Sequence, residues 1–235
     1  MNALLEIESL NTGYNEVSVV RDLNLHVNEG EVVALLGPNG AGKTTTLLTI
    51  SGLVPVISGD VRVFGRSVRG RRPHAIARDG LAHVPEGRAL FYQLSVAENL
   101  RLGGKSGRSD IAKAVSFFPA LQPILDRRAG LLSGGEQQML AMARALMVNP
   151  RLLMVDEMSL GLAPIIVERL LPILRKIADE TGAGVLLVQQ HVHMAVEVAD
   201  RAYVMNHGEL AVEGNAADLA KDRALIEASY LGDAH

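Results

Sequence analysis

Apolar and polar positions alternate at two places near the start of the chain. Between Leu4 and Leu10 the polar Glu6 and Glu8 interleave with Leu5 and Ile7, and Asn24 to Val27 repeats the rhythm. Such a period of two predicts half-buried antiparallel strands. A different pattern follows: Val32 to Leu36 is continuously apolar, as are Leu152–Val155, Val185–Val188 and Ala202–Met205. Short unbroken runs of this kind are expected of parallel strands covered on both faces. Between two of them, Ile166, Leu170, Leu171, Leu174 and Ile177 fall at helical spacing. Pro172 lies inside that pattern and is expected to kink the helix, because it removes a backbone donor and crowds the preceding turn. From about Ser95 to Leu131 no such apolar strand occurs, and the stretch reads as an inserted helical subdomain with the loop Gly103 to Gly107.

Together these elements predict an α/β fold: a mainly parallel core sheet, an antiparallel β subdomain and an inserted α-helical subdomain. No repeat, heptad run or low-complexity tract divides the 235 residues, so one domain spanning 1–235 is expected. Aromatic residues make up only 3%, which leaves Leu, Val, Ala and Ile to fill the interior. A net charge of -3 gives no overall electrostatic case for nucleic acid. With no cysteine, disulfides, thiolate metal sites and cysteine nucleophiles are excluded. No apolar window is long enough to span a bilayer, and the acidic residues among the first ten are unlike a signal peptide. The expectation is a soluble chain able to dock on a membrane protein.

The chemistry begins directly after the first buried run. Gly37, Pro38, Asn39, Gly40, Ala41, Gly42, Lys43 and Thr44 match the P-loop pattern between a strand and a helix, and Thr45 follows. Glycines let backbone N–H groups turn toward phosphate oxygens, and the helix N-terminus adds partial positive charge. Lys43 is placed for the β- and γ-phosphates, Thr44 for Mg²⁺, and Thr45 for a secondary phosphate contact. A P-loop alone leaves kinases, GTPases and motor ATPases open, so ATP as the nucleotide, with Mg²⁺, is the expectation only once the next motif is added.

A second set, Leu132-Ser-Gly-Gly-Glu-Gln137, precedes another helical run. Ser133, Gly134, Gly135 and Glu136 offer a hydroxyl and open backbone donors at a helix start, although an ordinary serine cap would look the same. Here the chain resembles the ABC ATPase family, whose signature has this form. The resemblance covers essentially the whole chain and implies a P-loop NTPase (RecA-like) core. It further implies that the signature acts in trans, two subunits holding two nucleotides head to tail.

The resemblance assigns Asp156 to the Mg²⁺ shell and Glu157 to polarising the attacking water; surface acids at a strand end are the alternative. Tyr14 matches the adenine-stacking aromatic, or else packs the edge of the β subdomain. Two positions depart from the general family pattern. Aligning Val84 to Arg88 and Phe91 with the glutamine loop puts Glu86 where Gln is usual, and a loop acid in solvent is the other reading. Counting back from Ala195 and Asp200 puts Gln190 at the γ-phosphate switch, with His191 one place later; His191 and His193 also read as surface residues at a helix start. Glu86 and Gln190 are shared with the LivF-like ATPases of branched-chain amino acid importers. The stretches His83 to Arg88, Ser159 to Pro164 and Ser229 to Gly232 resemble the same group, whereas Met158 and Pro172 depart from it.

This narrower resemblance implies an importer motor at the cytoplasmic face of the membrane. Its partners would be a sister LivG-like ATPase or a second copy, two permease subunits and, indirectly, an external solute-binding protein, with no nucleic acid. Two other classes remain: a soluble ABC ATPase serving assembly, DNA repair or translation, and a nucleotide-dependent regulatory module without turnover. Six arginines, Arg62, Arg66, Arg69, Arg71, Arg72 and Arg78, read either as a solvated face or as an anionic-surface contact.

Overall fold

In the computed structural model, which describes residues 3–15, 17–104, 108–190 and 192–221, two sheets meet across an apolar layer. The first is antiparallel: β1 (Ala3–Tyr14) lies between β2 (Val17–Asn28) and β4 (Val56–Val63), and β5 (Arg66–Ser67) closes the edge. The second contains β3 (Val32–Leu36), β6 (Leu81–Val84), β7 (Leu152–Asp156), β8 (Gly184–Gln189), β9 (Arg201–Asn206) and β10 (Glu209–Asn215), in the order β10-β9-β3-β8-β7-β6. Its pairings are parallel except β9 with β10.

Strand burial accounts for the two sequence rhythms. Every residue of β3 and β7 is buried. Val33 and Leu35 join an apolar cluster with β1, β2 and Leu47, while Val32, Ala34 and Leu36 face a second cluster with the helices. A strand clamped from both sides has no polar face to show. In β1, Leu5, Ile7 and Leu10 point inward while Glu8 and Ser9 are exposed.

Helix α1 (Lys43–Ile50) follows β3 directly, and α2 (Pro73–Arg78) precedes β6. The stretch expected to be helical forms α3 (Val96–Gly103), α4 (Arg108–Phe117), two 3-10 turns (Pro119–Ile124 and Ala129–Leu131) and α5 (Gly134–Leu146). Leu100, Phe118 and Leu121 from it share one apolar cluster with Leu153 and Leu187 of the central sheet. Lys105 to Gly107 of the expected loop lie outside the described residues, as do His191 and the stretch Ser229 to Gly232.

Helix α6 (Pro164–Thr181) buries Leu170, Leu171, Leu174 and Ile177, the stripe read from its spacing, and runs through Pro172 without interruption. Pro172 itself is exposed. The helix is continuous across Pro172, whose ring faces solvent and displaces no core residue. The short α7 (Val192–Val196) packs on the central strands β3 and β8, and α8 (Ala216–Leu219) on β9 and β10 at the edge of the sheet.

Candidate active site

The carboxyl ends of β3, β7 and β8 deliver the candidate chemistry to one place. The chain leaves β3 at Gly37 (φ 149°), where a Cβ would come within 2.3 Å of the Met205 carbonyl oxygen. It turns again at Gly40 and Gly42, both with positive φ, and enters α1 at Lys43. Gly42 has a second constraint, since a Cβ there would meet Val20 Cγ2 at 2.8 Å. These turns need glycine for backbone shape before any ligand is considered.

Lys43 is 5% exposed, and its Nζ donates to the carbonyls of Gly37 (2.8 Å) and Pro38 (3.0 Å). The same nitrogen lies 3.1 Å from Glu157 Oε1, an ion-pair contact without hydrogen-bond alignment, so Oε1 is buried with no hydrogen-bond donor. Glu157 follows β7 with φ 41°, a left-handed conformation that costs a residue with a side chain on the order of 1 kcal/mol or more. Its backbone N–H donates to the Val188 carbonyl at 3.1 Å, which fixes the turn against β8.

Asp156, 2% exposed, ends β7 and accepts a 3.3 Å hydrogen bond from Thr44 Oγ1. Burial pushes its carboxyl up to about 6, and the charges of Glu157 and Glu86 push the same way, against the Thr44 hydrogen bond and Lys43. A buried carboxylate so raised, beside a hydroxyl, is a place where a cation relieves desolvation and repulsion together. Among the described residues no cluster of three or more His, Cys, Asp or Glu could hold a metal unaided. That donor set fits Mg²⁺, which takes one or two protein oxygens and completes its shell with phosphate and water.

A cavity of about 360 Å³ opens over these groups. Asn39, Gly40, Gly42, Lys43, Thr44 and Thr45 line it from the loop side, and Glu86, Glu157 and Gln190 close it from the ends of β6, β7 and β8. Glu86 is exposed yet faces the cavity, so it is both a loop acid in solvent and a member of this group. Val19 and Leu160 also line the wall; no motif marks Val19, and Leu160 lies in the Ser159 to Pro164 stretch, which reads as family resemblance and not as part of the site. Tyr14, half exposed at the end of β1, and the signature residues are not part of that wall. His193 is exposed at the start of α7.

Ser133 caps α5 in a reciprocal arrangement with Glu136. The Ser133 N–H and hydroxyl donate to Glu136 Oε2 at 2.7 and 2.8 Å, and the Ser133 Oγ accepts from the Glu136 N–H at 3.4 Å. The Ser133 backbone and hydroxyl hold the Glu136 carboxyl below its ordinary range. Space is scarce behind the glycines: a Cβ on Gly134 would meet Leu162 at 3.0 Å, and one on Gly135 would meet Ile166 at 2.9 Å. The serine cap considered from the sequence is therefore present, with its helix start held against the loop after Glu157. None of these signature residues lines the cavity of its own chain.

Beyond the site, most of the six arginines are engaged within the chain. Arg62 pairs with Asp60 (3.0 Å) and Glu8 (3.5 Å), Arg66 and Arg71 with Asp79 (3.5 and 2.6 Å), and Arg69 donates to the carbonyls of Gly59 and Val56.

The sequence profile described as ABC transporter matches residues 20–159. The high-affinity branched-chain amino acid transport ATP-binding protein BraG of Pseudomonas aeruginosa is 41% identical, over 97% of this chain and 100% of its own. The probable branched-chain amino acid transport ATP-binding protein LivF of Archaeoglobus fulgidus is 36% identical over 92% and 94%. The lipopolysaccharide export system ATP-binding protein LptB of Escherichia coli is 34% identical over 98% of each chain. Among solved structures, an ATP-binding subunit of an ABC transporter superposes with a TM-score of 0.81 at 29% identity, over 94% of each chain.

Proposed function

The chain belongs to the ABC transporter family, and we propose that within it this ATPase drives the import of branched-chain amino acids or a related small solute. The observation that supports this reading best is the 41% identity to BraG, which extends from end to end of both proteins. The likeness to LptB supports the motor and not the cargo. Cargo is chosen by partner chains, so the permeases that bind this subunit decide between import and export.

Within the site, Lys43 and the P-loop N–H groups hold the β- and γ-phosphates, where backbone donors and the α1 N-terminus complement negative charge. Asp156 and Thr44 would hold Mg²⁺, and Glu86, which lines the same cavity, would steer its water shell. The ion, when bound, neutralises charge that develops on the transferring phosphoryl group. Glu157 then orients the attacking water, a role typically worth about 10² to 10⁴ in rate. Gln190 reads the γ-phosphate without changing its own charge, and Tyr14 stacks on the base. Ser133, Gly134, Gly135 and Glu136 complete the site of a facing subunit, which agrees with their position outside the cavity of their own chain. The facing subunit is a sister ATPase or a second copy, and two permease chains and an external solute-binding protein complete the assembly at the cytoplasmic face of the membrane. Among the described residues no helix is long and apolar enough to cross a membrane, so attachment would run through those permeases.

Two measurements test the reading. The Glu157→Gln chain is expected to bind ATP, lose about 10² or more in turnover and accumulate as an ATP-dependent dimer; undiminished turnover removes Glu157 from the role. Vesicles carrying the chain with its co-purified permeases, with the solute-binding protein added outside, are expected to take up labelled leucine, isoleucine or valine only with ATP inside. Extrusion of a lipid-linked substrate instead would replace the importer with an exporter.

A further inference from the structure

We propose that Arg88 is a positioning residue that fastens the signature loop to the loop carrying Glu86, so that the two shift as one body when nucleotide arrives. The proposal rests on the composite-site reading above and assigns it a mechanical part. Arg88 lies two residues after Glu86 but is not in the cavity wall. Its guanidinium reaches three separate acceptors: Nε donates to Gln138 Oε1 (3.1 Å), Nη1 to Gln137 Oε1 (2.9 Å) and Nη2 to the Leu160 carbonyl (3.4 Å). These partners stand 49 to 72 positions away in sequence. They belong to the helix that the signature opens and to the loop that follows Glu157.

The connection continues past Gln137. Its Nε2 donates to the carbonyls of Leu132 (3.2 Å) and Ala129 (3.3 Å), so Arg88 is one side chain removed from the residue before Ser133. Gln138 is 2% exposed, which places one of these bonds out of water, where a charge-assisted hydrogen bond is strong. The backbone is bent to make this reach possible. Arg88 and Ala89 both have positive φ, 61° and 49°, and two consecutive such residues persist only where their surroundings hold them. Only a planar fork with several donors serves three acceptors in different directions; a lysine ammonium on a flexible stem does not hold that geometry.

A residue with this role leaves ATP binding by the single chain alone and changes the step in which two chains close. Arg88→Ala is expected to keep single-chain ATP affinity within about twofold. In the Glu157→Gln background it should weaken ATP-driven pairing roughly tenfold or more, and in the otherwise unchanged chain lower kcat by a similar factor with little change in KM, as coupling between linked sites allows. Gln137→Ala breaks the same junction from the other side and should behave alike, and the double variant should be no worse than either single. It also carries the test if Arg88→Ala does not fold. The proposal is overturned if pairing and kcat stay within about twofold, if single-chain affinity falls in parallel, or if the two substitutions add independently. Should Glu157→Gln itself fail to pair with ATP, the composite site and Arg88's part in it fall together; a failure confined to the Arg88 and Gln137 variants leaves the composite site standing.

Discussion

His83, on β6 beneath the Glu86 loop, shows how one side chain sets a condition on the whole fold. Ser51 Oγ gives its single hydrogen to the Leu47 carbonyl at 2.9 Å, so the His83 Nδ1–H donates to Ser51 Oγ at 3.1 Å, and Nε2 is left buried without a partner. Burial holds the imidazole pKa down at about 4. The unfolded chain therefore accepts a proton near pH 6.5 that the folded chain resists until about pH 4. The unfolded state binds more protons across that window, so stability falls as pH drops through it, by about 2 kcal/mol at pH 5. Urea unfolding at pH 5 and 8 should show wild type losing about that much more than His83→Gln; equal losses would place the proton elsewhere. The sequence marked this histidine only as the start of a stretch resembling the LivF-like group, and not as a buried base, because its partner Ser51 is remote in the chain. By contrast, the P-loop and the Asp156–Glu157 pair are each contained in a few consecutive residues and were legible from sequence. Val19 and Leu160 reach the cavity only through tertiary packing.

At the scale of elements, the continuous apolar runs marked four parallel strands correctly, since a strand buried twice has no polar alternation to confuse it. β6 escaped that reading: four residues long, it includes His83, and a short run with a polar member resembles a loop. β10 is an edge strand whose residues alternate between exposed and half-buried, the weakest pattern a strand can show. Asn99 is another element-level device without a local signature. Fully buried on α3, it donates to the carbonyls of Phe91, Leu94 and Ser95 and accepts from the Phe91 N–H, holding the loop before the helix. Pro172 supplies the test at this scale. Exposed within an unbroken α6, it withholds one helical hydrogen bond and contributes no core packing. Pro172→Ala should raise unfolding stability by about 1 to 3 kcal/mol. A decrease in the denaturation midpoint would mean that the ring maintains a bend which α6 needs for packing.

For the whole molecule, Ser133 lies outside the wall of its own chain's cavity, and the proposed composite site would make function a property of pairs. With the chain as its own partner, Lys43→Ala and Ser133→Arg should each be nearly inactive, one lacking the phosphate cation and the other blocking the facing site. Mixed in equal amounts they should recover about a quarter of wild-type turnover, because half of the dimers are mixed and each of those retains one intact site. A mixture no more active than the separate variants would locate the whole site within one chain. The arginine-rich stretch bears on the same scale. Arg62, Arg66, Arg69 and Arg71 are met by Asp60, Asp79, Glu8 and backbone carbonyls.

The contact between Lys43 and Glu157 has a consequence for timing. In the mechanism proposed above, the group that would grip phosphate and the group that would orient water are paired with each other, 3.1 Å apart and almost out of solvent. An arriving γ-phosphate would then act as a rival anion, and by claiming Lys43 it would free Glu157. On that reading the base is armed by the substrate it attacks.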